Sequence, residues 1–280
     1  MINKQYKWGY LVVIVLCIGA LAAGAKYDWM VTDTLYNPQN GFGLFFEAVS
    51  WIPVYAFIPV LGACNMVRSR NNMTTFAVGA TMLISSCCVF AYMICDHYVE
   101  RGVMRKVNPY MCGIVGGLVA AALFLLIRSL KRPVIRKMQA VCAFGAMYMV
   151  SYLGVIFALK VVFGRDRYED IITGGEYVFA EWFKPVFFSS GSSFPSGHTA
   201  AAMGIVILLL LPFVFKPFKN MKLPLFIFCY VYAALTAVSR LIMGRHFISD
   251  TAAAILIMTI VFMVLAPKFE KLYKRELLKE

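Results

Sequence analysis

Three short polar stretches interrupt an otherwise apolar chain, and together they hold the side chains that phosphoryl chemistry needs. The first runs from Lys160 to Arg167. The second is Phe194-Pro195-Ser196-Gly197-His198-Thr199, and the third runs from Ser239 and Arg240 through Arg245 and His246 to Asp250. Lys160, Arg167 and Arg240 supply three cations, and a phosphate monoester dianion is the ligand that such a cluster most simply neutralises. Ser196 and Gly197 stand immediately before an apolar helical run, whose free N–H groups and positive dipole end offer a second cradle for an anion.

The chain has three histidines, and two of them, His198 and His246, fall in these stretches. On a helix beginning near His246, Asp250 lies four residues on and shares its face. Its carboxylate is therefore expected to hold one ring N–H and leave the other nitrogen free to attack, the usual pattern of an oriented nucleophile. His198, beside the anion cradle, is the candidate general acid for the leaving oxygen. Each residue alone has a plainer reading. Arg240 and Arg245 suit interfacial snorkelling, Ser196-Gly197 a turn and helix cap, and Asp250 a helix N-terminal acid. His97 has no partner motif and reads as a loop histidine. It is the joint pattern that points to chemistry.

These stretches must be positioned by elements that live in lipid. Hydrophobic residues make up 61% of the chain and its mean hydropathy is +0.74, far above a soluble domain. Apolar runs of bilayer length predict an all-α, polytopic membrane bundle of about eight helices. The runs cover Trp8 to Ala25, Phe42 to Val67, Thr74 to Cys95, Tyr110 to Ile127, Met138 to Leu159, Thr199 to Phe215, Leu223 to Met243 and Ser249 to Ala266. With the N-terminus inside, seventeen of the 27 Lys and Arg fall on cytoplasmic segments. They are Lys4 and Lys7, Arg68 and Arg70, the cations from Arg128 to Lys137, those from Lys216 to Lys222, and those from Lys268 to Lys279. Of the acids only Glu270, Glu276 and Glu280 join them. The +13 net charge is thus a topology signal and not a nucleic-acid footprint. Both termini are expected in the cytoplasm, and all three polar stretches then fall on the extracytoplasmic face.

The first run is read as an uncleaved anchor, although Ala23-Gly24-Ala25 also fits a signal-cleavage site. The eight cysteines show no metal-ligand spacing and read as small packing residues, and Gly113 with Gly117 reads as a close helix-packing pair.

The motif residues resemble the type 2 phosphatidic acid phosphatase superfamily, the lipid phosphate phosphatases. Its pattern is Lys-x(6)-Arg-Pro, then Pro-Ser-Gly-His, then Ser-Arg-x(5)-His-x(3)-Asp. The second motif is complete as Pro195 to His198 and the third as Ser239-Arg240, His246 and Asp250. In the first, Lys160 and Arg167 keep the spacing but Tyr168 stands in place of proline. The resemblance implies a six-helix core, a covalent phosphohistidine at His246, and neither metal nor other cofactor. It divides the chain into N-terminal membrane helices over 1–137, including an added pair, and a catalytic core over 138–280. Catalytic residues would be His246, His198 and Asp250, with Lys160, Arg167, Ser196, Gly197 and Arg240 binding the substrate phosphate. The expected activity is hydrolysis of a membrane lipid phosphate or diphosphate, of undecaprenyl diphosphate or phosphatidic acid type. Lipid phosphotransfer and a non-enzymatic transporter or receptor are the competing readings. No obligate protein partner is expected. Between Arg167 and His198 an aromatic loop with Tyr177, Trp182, Phe183 and Phe188 is expected to lie on the headgroup layer and guide the lipid.

Overall fold

The computed structural model describes residues 2–69, 72–174, 176–187 and 190–277, and among these it contains helices and no strand. Arg70, Phe188, Lys279 and Glu280, used in the charge and loop readings, lie outside the described residues. The long helices are α1 (Lys7–Leu35), α2 (Gly41–Val49), α3 (Phe57–Arg68), α4 (Met73–Glu100), α5 (Pro109–Arg128), α6 (Arg132–Phe163), α7 (Gly197–Ala202), α8 (Lys222–Ile242) and α9 (Ile248–Leu277). Among the described residues seven spans are long and apolar enough to cross a membrane, and α2 with α3 and the short helix Ile52–Tyr55 forms an eighth only as a broken pair. The all-α, multi-span architecture is the one expected. The break falls at Ala56, where Pro59 lacks the N–H that a continuous helix would donate to Tyr55 and its ring would press on that carbonyl. Asn side chains start two spans. Asn72 accepts from Thr75 N (3.1 Å), and Asn108 from Tyr110 N (3.1 Å), with Pro109 in the first turn.

The chain forms two compact units, Ile52–Met147 and Met1–Trp51 with Tyr148–Glu280. The sequence division at 137/138 follows motif coverage, whereas compactness groups the first helix with the motif-bearing ones. In the 52–147 unit, Ala63, Cys64, Leu83, Cys87, Ala120, Ile127 and Ile135 form the core. A Cβ on Gly62 would stand 2.7 Å from Gly79 O, and one on Gly116 2.5 Å from Cys88 Cα, so these glycines allow α3, α4 and α5 to touch backbone to backbone. Gly113 and Gly117, the expected packing pair, have open space at the Cβ position among the described residues. Gly116 lies one residue around the helix and takes their role. All eight cysteines are free thiols.

In the other unit α1 lies along α9, and Gly24 permits the approach. A Cβ there would meet Ser249 Cβ at 2.8 Å. The sixth expected run is α7, followed by a 3-10 helix over Met203–Leu210 and a last turn over Leu211–Val214. The 3-10 segment is almost wholly buried, and side chains from its neighbours bond its carbonyls. Tyr148 Oη donates to Met203 O, Tyr6 Oη to Leu209 O (both 3.2 Å), and Cys229 Sγ approaches Ile205 O at 3.2 Å. Such partners are what allow irregular helix within an apolar interior.

Candidate active site

The motif histidine His246 sits in the short connection between α8 and α9, 3% exposed. Its Nδ1 lies 2.8 Å from Ser193 O. A carbonyl oxygen only accepts, so Nδ1 carries the proton and Nε2 keeps its lone pair. The Asp250 carboxylate stands 3.8 Å from Nδ1, beyond hydrogen-bond reach. The ring N–H is therefore held by a backbone carbonyl, and Asp250 acts one step removed. Burial pushes the imidazole down to about 3. The nearby Asp250 works against this, and the charges of Lys160 and Arg167 add to it.

Asp250 is fully buried at the start of α9, and its two oxygens serve three donors. Oδ2 accepts from Ser193 Oγ (2.6 Å) and Phe247 N (2.8 Å), and Oδ1 from Arg165 Nη1 (2.6 Å). It thus fixes the segment that supplies Ser193 O and the turn that presents His246. Arg165 is buried in its turn. It donates from Nη2 to Asp28 Oδ2 on α1 (2.9 Å), from Nη1 to Ser249 Oγ (2.9 Å) and from Nε to Ala180 O (2.8 Å), with its guanidinium 4.2 Å from the Phe247 ring centroid. Asp28 also accepts from Ser249 N (3.0 Å) and Ser249 Oγ. One arginine between two carboxylates, with each of its three nitrogens hydrogen-bonded, is the arrangement a buried charge requires.

The cations gather around the adjacent serine. Lys160 Nζ donates to Ser192 O, and Arg167 Nη2 to Ser192 Oγ (2.9 Å). Arg167 Nε is buried with no hydrogen-bond partner among the described residues, a donor left over for a ligand. Gly191 makes this turn possible, since a Cβ there would stand 2.6 Å from the Arg165 carbonyl carbon. Arg240 is fully buried at the end of α8. Its Nη2 donates to Gly43 O (3.0 Å), its Nη1 lies 3.7 Å from Glu47 Oε1, and its own carbonyl accepts from His246 N (3.4 Å). Arg245, more exposed, lies between Glu47 (3.2 Å) and Glu169 (3.3 Å).

Ser196 caps α7, its Oγ accepting from Thr199 N (3.3 Å), while its own N–H donates to Asp250 O (3.0 Å). His198 is the second residue of that helix and is half-buried. A Cβ on Gly197 would stand 3.6 Å from Lys160 Cε, so the Pro195–His198 motif and the Lys160 chain adjoin. Lys160, Arg167, Ser196 and Gly197 are thereby tied to one neighbourhood with His246 and Asp250, and Arg240 joins it through its backbone.

Several contributors escaped the sequence reading: Asp28, Glu47, Arg165, Ser193 and Ser249. Glu47 had a visible signal, a carboxylate within the apolar run Phe42 to Val67, whereas Asp28 lies just beyond the run that ends at Ala25. Tyr168, in the position of the family's proline, is buried against Trp29 (5.0 Å between ring centroids) and Tyr36 (5.2 Å), and its hydroxyl donates to Asp33. In the aromatic loop, Trp182 is anchored by donating Nε1–H to Leu21 O (3.0 Å) and stacking on Phe194, whereas Phe183 and Phe187 are exposed. Among the described residues no three His, Cys, Asp or Glu side chains gather as metal ligands.

No curated protein and no solved structure matches the chain. The family model described as the PAP2 superfamily matches residues 139–274, which include α6 from Gln139 onward, α7, α8, most of α9 and every motif residue above. That stretch contains the complete second and third motifs, and over it the chain is similar to the PAP2 superfamily.

Proposed function

We propose that this membrane protein hydrolyses a lipid phosphate or diphosphate at the extracytoplasmic face, with His246 as the nucleophile. Similarity to the superfamily over residues 139–274 suggests phosphatase chemistry on phosphate esters. The observation that carries the finer reading is the His246 ring. It is neutral by burial and pinned through Nδ1 to Ser193 O, beside two cations that share Ser192. The substrate phosphoryl group is held by Lys160 and Arg167, whose fixed charges meet the charge that develops on its oxygens. Nε2 forms a bond to phosphorus as the bond to the leaving oxygen breaks, and His198 gives that oxygen its proton. Water then attacks the phosphohistidine, His198 takes back a proton, and inorganic phosphate leaves with Nε2 restored. The lipid character of the substrate rests on the apolar spans around the site and on the exposed Phe183 and Phe187.

Purified protein given substrate labelled in the phosphate tests this. The wild type is expected to release phosphate and, on quenching, to carry acid-labile, base-stable label. His246→Ala is expected to lose both, and near wild-type release by that variant would refute the assignment. A panel of polyprenyl diphosphate, phosphatidic acid and phosphatidylglycerol phosphate ranks the substrates, and transfer of label to an acceptor hydroxyl in place of water would mark a phosphotransferase.

A further inference from the structure

The 52–147 unit holds a cavity of about 1150 Å³ at the end where α3 and α5 finish and α4 and α6 begin. Arg68, Arg128, Arg132 and Arg136 line it together with Ser69 and Asn72, and Phe76 and Phe124 stand in its apolar wall. Among the described residues no carboxylate lines it. Within residues 52–147 the only acids are Asp96 and Glu100, toward the opposite end of α4, about 35 Å along the helix from Met73. Arg68 donates to the neutral Gln139 amide, which in turn donates to Asn65 Oδ1 (2.8 Å).

Placement in the last turns of α3 and α5 suits Arg68 and Arg128 through the helix dipole, and a topology signal accounts for cations near span ends. Neither explains four guanidiniums arranged around one cavity with an apolar wall. Guanidinium forks match phosphate oxygens two at a time, while aromatic and aliphatic walls accept the glycerol and the first acyl carbons. Basic pockets between membrane helices bind anionic headgroups in this way.

We propose that this cavity binds the headgroup phosphate of an anionic phospholipid drawn from the surrounding bilayer. It shares no residue with the site around His246, and all four arginines precede the segment that the family model matches.

The test uses the full-length protein and phosphatidylglycerol, a phosphodiester that a monoester phosphatase leaves intact, so that binding is read without turnover. Native mass spectrometry and lipid-dependent thermal stability are compared for phosphatidylglycerol, zwitterionic phosphatidylcholine and inorganic phosphate. Phosphatidylglycerol should be retained in preference to phosphatidylcholine, and inorganic phosphate should not replace it. The Arg128→Gln/Arg132→Gln variant, altered at two exposed side chains, should bind phosphatidylglycerol at least about tenfold more weakly. Arg128→Lys/Arg132→Lys should recover part of the loss. Phosphate release should be unchanged in both variants. Equal retention of the two lipids by the wild type overturns the proposal even if the variants fail to fold. Displacement of the lipid by inorganic phosphate overturns the lipid assignment, and unchanged affinity in a folded Gln variant removes the arginines from it.

Discussion

Asp250→Asn separates what the carboxylate does for charge from what it does for shape. Asp250 Oδ2 lies 3.8 Å from the ring nitrogen of His246. At an effective dielectric of about 20, a full positive charge on that ring is stabilised by about 4 kcal/mol at this distance. With half of that charge developed in the transition state, the loss is about 2 kcal/mol, or roughly thirtyfold in kcat. Stability falls as well. If the Asn oxygen accepts from Arg165, its amide faces Phe247 N–H, a donor left unpaired at about 1–3 kcal/mol, and the opposite flip sets two donors together at Arg165. Asp250 does not face the phosphate, so KM should change little. The assay is phosphate release at saturating and limiting substrate, with a melting curve on the same preparation. A folded variant with kcat within threefold of wild type would refute the electrostatic argument, and a loss confined to KM would place Asp250 in substrate binding.

Other perturbations follow from the same geometry. Because His246 is neutral down to about 3 when folded and titrates near 6.5 when unfolded, the unfolded chain takes up the proton first. This residue's contribution is complete above about pH 6.5 and is lost toward pH 3, at up to about 1.4 kcal/mol per pH unit. Replacing His246 with Gln should flatten the acid side of the denaturation profile, and an unaltered profile would count against the buried neutral ring. Gly244→Ala places a Cβ at φ +65° and 2.6 Å from the Tyr36 ring. It should cost about 2 kcal/mol or more in a chemical denaturation series and reduce kcat by moving the turn before His246. Phe183→Ser with Phe187→Ser should slow a long-chain lipid phosphate far more than a small soluble ester, because both rings are exposed. Trp182→Ser should impair the two substrates alike, since that ring holds Phe194 and Leu21.

The sequence pattern drew attention to Lys160, Arg167, Ser196 and Gly197, which the structure brings near His246 and Asp250, and the spans were legible because lipid restricts composition. Less was readable where a residue's importance depends on the partner it meets in space. Asp28 and Glu47 were passed over in a topology reading, which weighs Lys and Arg and gives acids little weight. In the structure each neutralises an arginine that arrives from far along the chain, Arg165 or Arg240. Arg165 lay inside the first motif, but nothing in its spacing tells a ligand-binding cation from one turned inward to a carboxylate. The His246–Asp250 spacing correctly placed the two near each other, while the acceptor that holds the ring is a main-chain carbonyl, which no side-chain pattern encodes. Likewise the run from Thr199 to Phe215 was readable as a span, but not its 3-10 winding, which depends on Tyr6 and Tyr148 reaching it from other helices.

The carboxylates on α1 and α2 also bear on where this enzyme can be cut. A fragment limited to residues 139–274 would retain every motif side chain, yet it would lack Asp28 and Glu47. Arg165 would then hold one counter-ion in place of two, Arg240 would lose its nearest carboxylate, and Tyr168 would lose the rings of Trp29 and Tyr36. The smallest autonomous piece is therefore larger than the segment that homology delimits. Co-expressing residues 1–51 as a separate polypeptide with the remainder offers a route to restoring activity in trans, because that stretch belongs to the compact unit it would need to rejoin.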